Sequence, residues 1–238
     1  MDFIDIVIPY CRTPRQDQEL LYSLRSIQKH LKNYRNIFLI GDLPIWPIRN
    51  VFHVELMDRY GHERNIMEKT LLACKQVQLS DEFLFWNDDF FLVADTLANK
   101  YPFYAKGQLI DAINGRRPGD GYRRSLENSF YALKARGYQT VNFDIHTPIR
   151  YNKNKFEKIM LRHDWTISNG YVIKSLYANS TGQDPVYIDD FKIGPGKKPN
   201  VIEELMTSRH IFSISDKSWD SVRPFLERLF PEKSLYEI

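Results

Sequence analysis

The 238-residue sequence contains only two cysteines, Cys11 and Cys74. Two cysteines are too few for a disulfide framework or for a zinc site built on cysteine ligands, so we expect both to be free thiols. No run of roughly eighteen apolar residues occurs, which excludes a membrane-spanning helix within this sequence. The first residues, MDFIDIVIPY, carry acids where a signal peptide carries positive charge, which predicts a cytoplasmic protein.

The sequence also lacks the glycine-based motifs of several large enzyme classes. No GxxxxGK[ST], GxGxxG or GxSxG pattern occurs, which argues against a P-loop kinase, a Rossmann dehydrogenase and an α/β-hydrolase. Hydrophobic residues make up 43% and charged residues 26% of the chain. These fractions are typical of a globular protein and exclude a disordered, collagen-like or coiled-coil chain.

The charge is small overall but unevenly distributed along the chain. The net charge is +3, whereas the segment 101–200 alone has 16 Lys and Arg against 9 Asp and Glu. This segment is the favoured face for an anionic partner, such as a phosphate-bearing donor or a polyanionic acceptor. Solvated loop charges are the alternative explanation.

Short apolar runs alternate with helical patterns in the first part of the chain. The predicted strands are 5–10, 37–40, 51–56 and 83–86, and the predicted helices are 20–31 and 63–77. Strands that alternate with helices predict an α/β fold with a mostly parallel sheet. The second half is less regular. It has predicted helices near 107–113, 123–136, 153–162 and 217–229, strands near 141–144 and 211–215, and a loop at 182–200.

The sharpest candidate site is Asn87-Asp88-Asp89, directly after the predicted strand FLFW. A carboxylate pair between apolar flanks needs a cation, because a buried unpaired charge is costly. Mg²⁺ or Mn²⁺ takes one or two carboxylates together with substrate phosphates. Such an ion would neutralise a leaving diphosphate. A strand-end turn in which Asp88 caps the next segment is the structural alternative.

Other polar clusters follow the first two strands and open the second helix. Pro9 with the Tyr10–Arg12 loop and Gly41-Asp42 are expected at the same sheet edge, where ligands gather in α/β folds. Asn65 and Lys69 share a helix face with Arg64 turned partly toward it, which suits a diphosphate. A solvated helix face is the favoured explanation for these three residues taken alone.

A further cluster surrounds Asp144 and His146, just before Pro148. If the segment is extended, both side chains point to the same side, so Asp144 could orient His146 as a general base. A proline at position 148 favours the extended form, because it disfavours a helix at the preceding residue. A structural hydrogen bond from Asp144 to the backbone is the alternative.

The ordered motifs resemble the Stealth family of capsular polysaccharide phosphotransferases, which is related to the lysosomal GlcNAc-1-phosphotransferase. The matching blocks are DIVIPY (5–10), ELLYSLRSI (19–27), NIFLIGDLPIW (36–46), LSDEFLFWNDDFFL (79–92), HTP (146–148), KSLYANS (174–180), IFSISD (211–216) and FPEKSLYE (230–237). The family usually has TWV after its first strand and FNS before the NDD helix, where this chain has Pro9-Tyr10-Cys11 and Glu63-Arg64-Asn65.

The resemblance implies a GT-A-like nucleotide-sugar-binding fold in a single domain, 1–238. Its nucleotide-sugar-binding half would be 1–95 and its less regular acceptor half 96–238. It also implies that Asp88 and Asp89 hold Mn²⁺ or Mg²⁺ with Asn87 in support. The Tyr10–Arg12 loop and Asp42 would lie near the nucleotide, and His146 would be catalytic.

Several functions remain open at this point. The first hypothesis is a metal-dependent glycosyltransferase that moves a sugar from a nucleotide-sugar donor, UDP-sugar in particular, to a glycan or other hydroxyl acceptor. A Stealth-type sugar-1-phosphate transferase in polysaccharide biosynthesis is the alternative. Transfer to modified DNA bases, as in phage enzymes, has no nucleic-acid motif in its support. A sugar- or nucleotide-binding module without turnover is the non-enzyme alternative.

Overall fold

The computed structural model describes residues 3–13, 15 and 17–238. In chain order the elements are β1 (Ile4–Tyr10), α1 (Gln18–His30), β2 (Leu31–Lys32), β3 (Tyr34–Gly41), β4 (Phe52–Val54), α2 (His62–Cys74), β5 (Glu82–Phe85), β6 (Phe90–Leu92), β7 (Thr96–Leu97), β8 (Tyr104–Ala105), α3 (Leu109–Asn114), α4 (Gly121–Lys134), β9 (Ile149–Asn152), α5 (Lys153–Met160), α6 (Ile173–Ser180), β10 (Val186–Tyr187), β11 (Lys192–Ile193), α7 (Pro199–Thr207), β12 (Ile211–Ile214) and α8 (Trp219–Leu229).

The central sheet has five strands in the order β4-β3-β1-β5-β9. Strand β1 is parallel to both β3 and β5, β3 is parallel to β4, and β9 alone is antiparallel, to β5. The carboxyl ends of β1, β3 and β5 therefore meet at one edge. This arrangement confirms the predicted α/β fold with a mostly parallel sheet.

Both faces of this sheet are buried, which explains why its strands are continuous apolar runs. In β1, Ile6 and Ile8 pack on the side of α1, whereas Val7 packs on the side of α2, α4, α5 and α6. A smaller sheet, β11-β12-β6, carries a third apolar cluster with α7 and α8. Strand β6 follows the Asn87–Asp89 turn, so this second sheet anchors the turn from its far side.

The elements predicted for the first ninety residues are confirmed, but the second half differs in several places, and the predicted loop at 182–200 contains β10, β11 and the start of α7. The predicted strand at 141–144 is wrong, because only Val141 forms a bridge, to Gln108, and the sheet takes β9 instead. Helices α6 and α7 were not predicted. In α6 every residue from Ile173 to Asn179 is buried, so the helix has no polar stripe to reveal its period.

Candidate active site

Two adjoining cavities open at the carboxyl edge of β1, β3 and β5. Their volumes are about 490 Å³ and 260 Å³, and His62, Ile66 and Asn87 line both. The predicted donor and metal residues that line the smaller cavity are Pro9, Tyr10, Arg12, Asn65, Lys69, Asn87 and Asp88. The predicted catalytic residues, Asp144 and His146, line the larger one. The site therefore brings together most of the predicted residues, with Asn87 at the junction.

In the smaller cavity, Lys69 is buried and ties the end of β1 to the loop before α2. Its Nζ donates to the Tyr10 carbonyl oxygen at 2.6 Å and lies 2.6 Å from Asp58 Oδ1. Gly41 makes this close approach possible. At its φ of +129°, an added Cβ would lie 2.0 Å from the Tyr10 carbonyl oxygen and 2.9 Å from Lys69 Nζ. Lys69 is thus a scaffold residue whose charge also faces the cavity.

Arg12 and Asp42 hold the loop that follows β1. The Arg12 main-chain N–H donates to Asp42 Oδ2 at 2.9 Å, and Arg12 Nε donates to the Leu43 carbonyl oxygen at 2.8 Å. Asp42 lies outside the linings of both cavities. Asp42 therefore shapes the loop, and Arg12 is the residue of this pair that reaches the cavity.

The polar residues at the start of α2 are also engaged with the main chain. Asn65 Oδ1 accepts from the main-chain N–H groups of Arg59 (3.2 Å) and Tyr60 (2.9 Å), and its Nδ2 donates to the Tyr60 carbonyl oxygen (2.7 Å). Arg64 stacks on the Tyr60 ring, with its guanidinium carbon 3.9 Å from the ring centroid. Arg64 is in the lining of neither cavity, so of the predicted cationic helix face only Lys69 reaches the site.

The Asn87–Asp89 turn between β5 and β6 is anchored on both sides by one serine of α1. Trp86 Nε1 donates to Ser23 Oγ, and Ser23 Oγ donates to the Phe90 carbonyl oxygen, each at 2.8 Å. Ser23 is fully buried. Since the flanking aromatic residues are buried too, the carboxylates project from a rigid support.

Asp88 and Asp89 lie together in a poorly solvated environment. Burial raises the pKa of Asp88 well above its usual value, and the charge of Asp89 raises it further. Burial also raises the pKa of Asp89, although the positive charge of Lys192 opposes the shift. Asp89 Oδ1 is buried and has no hydrogen-bond partner in the described part of the chain. Two like charges with an unsatisfied oxygen form a place that a cation would stabilise.

The donor set around this pair is incomplete for a metal ion enclosed by protein alone. Across residues 3–13, 15 and 17–238, no group of three or more His, Cys, Asp and Glu side chains is arranged to hold a metal ion. A pair of carboxylates is nevertheless the set that Mg²⁺ or Mn²⁺ completes with substrate phosphates and water. The residues present fit such an ion.

In the larger cavity, His146 is oriented by Asp190. His146 Nδ1 lies 2.9 Å and 3.0 Å from the two Asp190 oxygens, and Lys106 Nζ pairs with the same carboxylate. Burial alone would raise the pKa of Asp190, but the hydrogen bond from His146 and the Lys106 charge hold it well below its usual range. An ionised Asp190 keeps the proton on Nδ1, so Nε2 presents its lone pair. Lys192 Nζ lies 3.2 Å from that nitrogen.

Asp144 does not orient His146, contrary to the arrangement expected for an extended segment. Two main-chain hydrogen bonds of 2.9 Å and 2.8 Å, each between residues two apart, curl the segment 143–147. The Asp144 carboxylate instead accepts a hydrogen bond from the Tyr122 hydroxyl. The alternation of sides holds only for extended backbone, so the two side chains line one cavity with different partners.

Lys174 supports the turn that carries His146 and is itself 6% exposed. Its Nζ donates to the carbonyl oxygens of Ile145 (2.8 Å) and Thr147 (2.9 Å), on either side of the histidine. The ammonium group lies 5.2 Å from the centroid of the Phe90 ring. Lys174 therefore links the histidine turn to the apolar layer beneath the carboxylate pair.

Glu63, the second residue of α2, lines the larger cavity. Burial raises the pKa of Glu63 to about 8, and the charge of Asp144 adds to the shift while Lys174 opposes it. Burial likewise raises the pKa of Tyr122. Glu63 and Asp144 form an acidic wall in a cavity whose other charged lining residues, Lys106, Arg116 and Lys174, are positive.

Sequence reasoning missed several residues that line the larger cavity or contact its histidine. These are Glu63, Lys106, Tyr122, Lys174, Asp190 and Lys192. The three lysines belong to the segment 101–200, whose excess of Lys and Arg over Asp and Glu was the one feature of the sequence that pointed to them. Glu63 is next to Arg64 and Asn65, which the sequence analysis interpreted as part of a diphosphate-binding helix face without assigning a role to the glutamate. Asp190 and Tyr122 carry no local signal, because tertiary structure alone brings them to the segment 144–146.

Sequence comparison relates the chain to named phosphotransferases. It is 28% identical to a capsular polysaccharide phosphotransferase of Neisseria meningitidis serogroup B over 163 residues, which cover 59% of this chain and 43% of the relative. It is 29% identical to the capsular polysaccharide phosphotransferase fcs1 of Haemophilus influenzae, over 60% of this chain and 45% of that one. The human N-acetylglucosamine-1-phosphotransferase subunits alpha/beta are 28% identical over 40% of this chain and 8% of their own length. The chain thus spans less than half the length of these relatives. No protein-family model matches it.

Structure comparison relates the fold to a glycosyltransferase. The galactosyltransferase LgtC, solved in complex with donor and acceptor sugar analogs, superposes with a TM-score of 0.51 and 12% sequence identity, covering 97% of this chain and 96% of that one. At this identity the likeness shows the fold alone. In the described part of the chain, none of the helices has the length and apolarity to cross a membrane. From the structure comparison, the chain has the fold of the GT-A glycosyltransferases, and from the sequence comparison, it is similar to the Stealth-type phosphotransferases.

Proposed function

We propose that the protein is a metal-assisted transferase that moves a sugar 1-phosphate from a nucleotide-sugar donor to a hydroxyl group of a glycan. The observation that carries the proposal is the junction of the two cavities at Asn87. On one side Asp88 lines the smaller cavity, with Asp89, whose Oδ1 is buried, next to it in the chain but outside both linings, and on the other side lies an oriented histidine among cations. A donor that spans the junction would place its diphosphate beside the ion and its sugar in the larger cavity.

The smaller cavity is the proposed nucleotide site, and UDP is the proposed nucleotide. Arg12 and Lys69 supply positive charge there, and Tyr10 and Pro9 form its apolar wall. We assign this role to the half 1–95 and acceptor binding to the half 96–238. The larger cavity, with Lys106, Arg116 and His146 in its lining, suits an anionic group in transfer.

Asp88 and Asp89 are the proposed ligands of Mn²⁺ or Mg²⁺. The unsatisfied Asp89 Oδ1 and the raised pKa values of both carboxyls support this assignment, since a bound cation would relieve both. When bound, the ion would neutralise charge on the diphosphate. Asn87 would support the pair with its amide from the shared wall.

His146 is the proposed general base. With Nδ1 bonded to the ionised Asp190, its Nε2 would take the proton of the acceptor hydroxyl once that hydroxyl replaces the Lys192 ammonium, which lies 3.2 Å from Nε2. The acceptor oxygen would attack the β-phosphorus, and the bond from that phosphorus to the oxygen bridging to the α-phosphorus would break. A nucleoside monophosphate would leave, and the sugar would keep its phosphate. Lys192 and Lys106 would stabilise charge on the transferred group.

Glycosyl transfer is the second candidate, and the shared fold with a galactosyltransferase favours it. There the acceptor would attack the anomeric carbon, and a nucleoside diphosphate would leave. The same donor, ion and base would serve. The phosphotransferase names of the sequence relatives favour attack at phosphorus.

Chromatography of the released nucleotide tests this proposal. The protein is incubated with a panel of nucleotide sugars and short glycans, with Mn²⁺ and with a chelator. Cation-dependent release of a nucleoside monophosphate is the expected result. Release of a diphosphate would replace sugar-phosphate transfer with glycosyl transfer. Release that persists with a chelator, or in Asp89→Asn, would overturn the metal assignment.

A further inference from the structure

The positive charge of the segment 101–200 exceeds what the reaction site uses. Lys106, Lys174 and Lys192 serve the larger cavity. On and just after α4 and α5, further cations are exposed, and none of them forms an ion pair in the described part of the chain. These residues, which we call the α4–α5 face, are Arg124, Lys134, Arg136, Lys158 and Arg162.

The ends of α4 and α5 bring these cations together. Arg136 Nη2 donates to the Arg162 carbonyl oxygen at 3.4 Å. The charges of both arginines help to lower the pKa of His163, after the larger effect of its burial, which shows that they converge there. Lys158 lies about one helical turn before Arg162, and Arg124 lies on the i, i+4 row of α4 that ends at Arg136. The cations are therefore neighbours in space and not only in sequence.

Large apolar side chains project from the same face. Tyr131 of α4 is 66% exposed, and Leu161 and Ile167 are 59% and 37% exposed. The loop 161–170 that carries the last two is fixed against α4, because Asn128 Nδ2 donates to two of its carbonyl oxygens, at 3.0 Å and 2.8 Å. The apolar side chains are thus held outward on a supported surface, among the cations.

The acids of this region leave the face positive. Glu127 pairs with Arg123 at 2.8 Å, so neither adds net charge. Glu157 is half-buried on α5. Asp164 accepts a hydrogen bond from the Thr166 main-chain N–H at 3.1 Å. The unpaired cations of the face outnumber these two remaining acids, so its charge complements an anionic partner.

We propose that the α4–α5 face binds the anionic surface of a lipid bilayer. Clustered Lys and Arg are attracted to anionic headgroups, while exposed leucine, isoleucine and tyrosine side chains enter the boundary between headgroups and acyl chains. A nucleic acid would attract the same cations, but its bases stack on aromatic rings, whereas Leu161 and Ile167 are aliphatic. Asn169, in the same loop, lines the larger cavity, so a bound bilayer would lie beside that cavity.

Co-sedimentation with vesicles tests the inference without donor or metal, and the inference does not rest on the proposed function. Vesicles of phosphatidylcholine mixed with phosphatidylglycerol are compared with pure phosphatidylcholine vesicles, at low and at high salt. We expect binding to the mixed vesicles that weakens as salt screens the charges. The double variant Arg136→Gln, Arg162→Gln should bind roughly thirtyfold more weakly. Leu161→Ser should bind roughly fivefold more weakly.

Two matched variants control for these changes. Lys197→Gln, Lys198→Gln removes the same charge from the exposed turn before α7, and Leu97→Ser removes a 39% exposed leucine of β7. Both should bind like the unmodified protein.

Four results would overturn the inference. They are no binding to the mixed vesicles at low salt, equal binding to pure phosphatidylcholine, and unchanged binding of the Arg136/Arg162 and Leu161 variants. The fourth is tighter binding of a single-stranded oligonucleotide than of the mixed vesicles, lost in the double variant, which would assign the face to nucleic acid.

Discussion

The two cavities use their polar side chains in different ways. In the smaller cavity, Asn65 and Lys69 bond the main chain and hold loops in place. In the larger cavity, Lys174 apart, the key side chains bond other side chains, as His146 does with Asp190 and Asp144 does with Tyr122. The first arrangement builds a rigid surface for a ligand. The second leaves titratable groups coupled in a half-open space, which is what proton transfer requires.

The largest expected effect is at the boundary between the cavities. Asp89→Asn should lower kcat/KM by roughly 10³-fold or more, because the metal would lose a charged ligand. The same change should raise the melting temperature without metal, since it removes one of two buried like charges. Steady-state kinetics with Mn²⁺ and thermal unfolding measure the two effects.

The matched control for that variant is Asp95→Asn, which removes an exposed carboxylate bonded to His30. It should leave turnover unchanged. Near-normal turnover in Asp89→Asn would remove the pair from the metal site. A lowered melting temperature would show that Asp89 is a structural residue.

A second prediction concerns the coupled groups of the larger cavity. His146→Ala should lower kcat by roughly 10²- to 10⁴-fold, as expected for loss of a general base, with little change in donor affinity. Asp190→Asn should lower kcat less and shift its pH dependence, because the imidazole loses the carboxylate that fixes its tautomer. A loss confined to donor affinity would place His146 in binding instead.

The third prediction tests the scaffold role of the smaller cavity. Lys69→Met should lower the free energy of unfolding by about 3 kcal/mol, because Asp58 and the Tyr10 carbonyl oxygen lose their buried partner. Turnover at saturating donor should change little. Denaturant unfolding checks the first effect, with Lys75→Met, an exposed position just after α2, as the control. A large loss of kcat at unchanged stability would make Lys69 a reaction group.

The smallest expected effect is a pH dependence of stability at Glu63. Its pKa is raised from 4.5 to about 8, so the folded state holds this proton more tightly than the unfolded state. The stability contributed by the neutral carboxyl is complete below 4.5 and is lost as the pH rises through 8. Glu63→Gln should therefore match the unmodified protein in acid and become progressively more stable than it as the pH rises from 4.5 to 8. Parallel melting curves across this range would contradict the shift.

The smaller cavity and the carboxylate pair could be predicted from the sequence, because strand ends of a parallel sheet meet at one edge. Short apolar strands reveal the sheet, and Asn87-Asp88-Asp89 directly follows one of them. The fold class follows from the same alternation of strands and helices. Local pattern therefore carries the information for this region.

The larger cavity could not be predicted in the same way. Asp190, the partner of His146, lies 44 residues further along, in a segment predicted only as a loop. The predicted partner, Asp144, is turned away because the chain curls at 143–147. Helix α6, which supplies Lys174, has no amphipathic pattern because it is almost wholly buried. These pairings depend on long-range packing, which leaves no spacing to read in the sequence.

The most direct test of the central claim is a crystal structure with Mn²⁺ and an unreactive nucleotide sugar, with the cation located by its anomalous scattering. The account predicts the cation on Asp88 and Asp89, the nucleotide in the smaller cavity, and the sugar phosphate across Asn87 within hydrogen-bond distance of the His146 cluster. A cation elsewhere, or a nucleotide bound outside the smaller cavity, would contradict it.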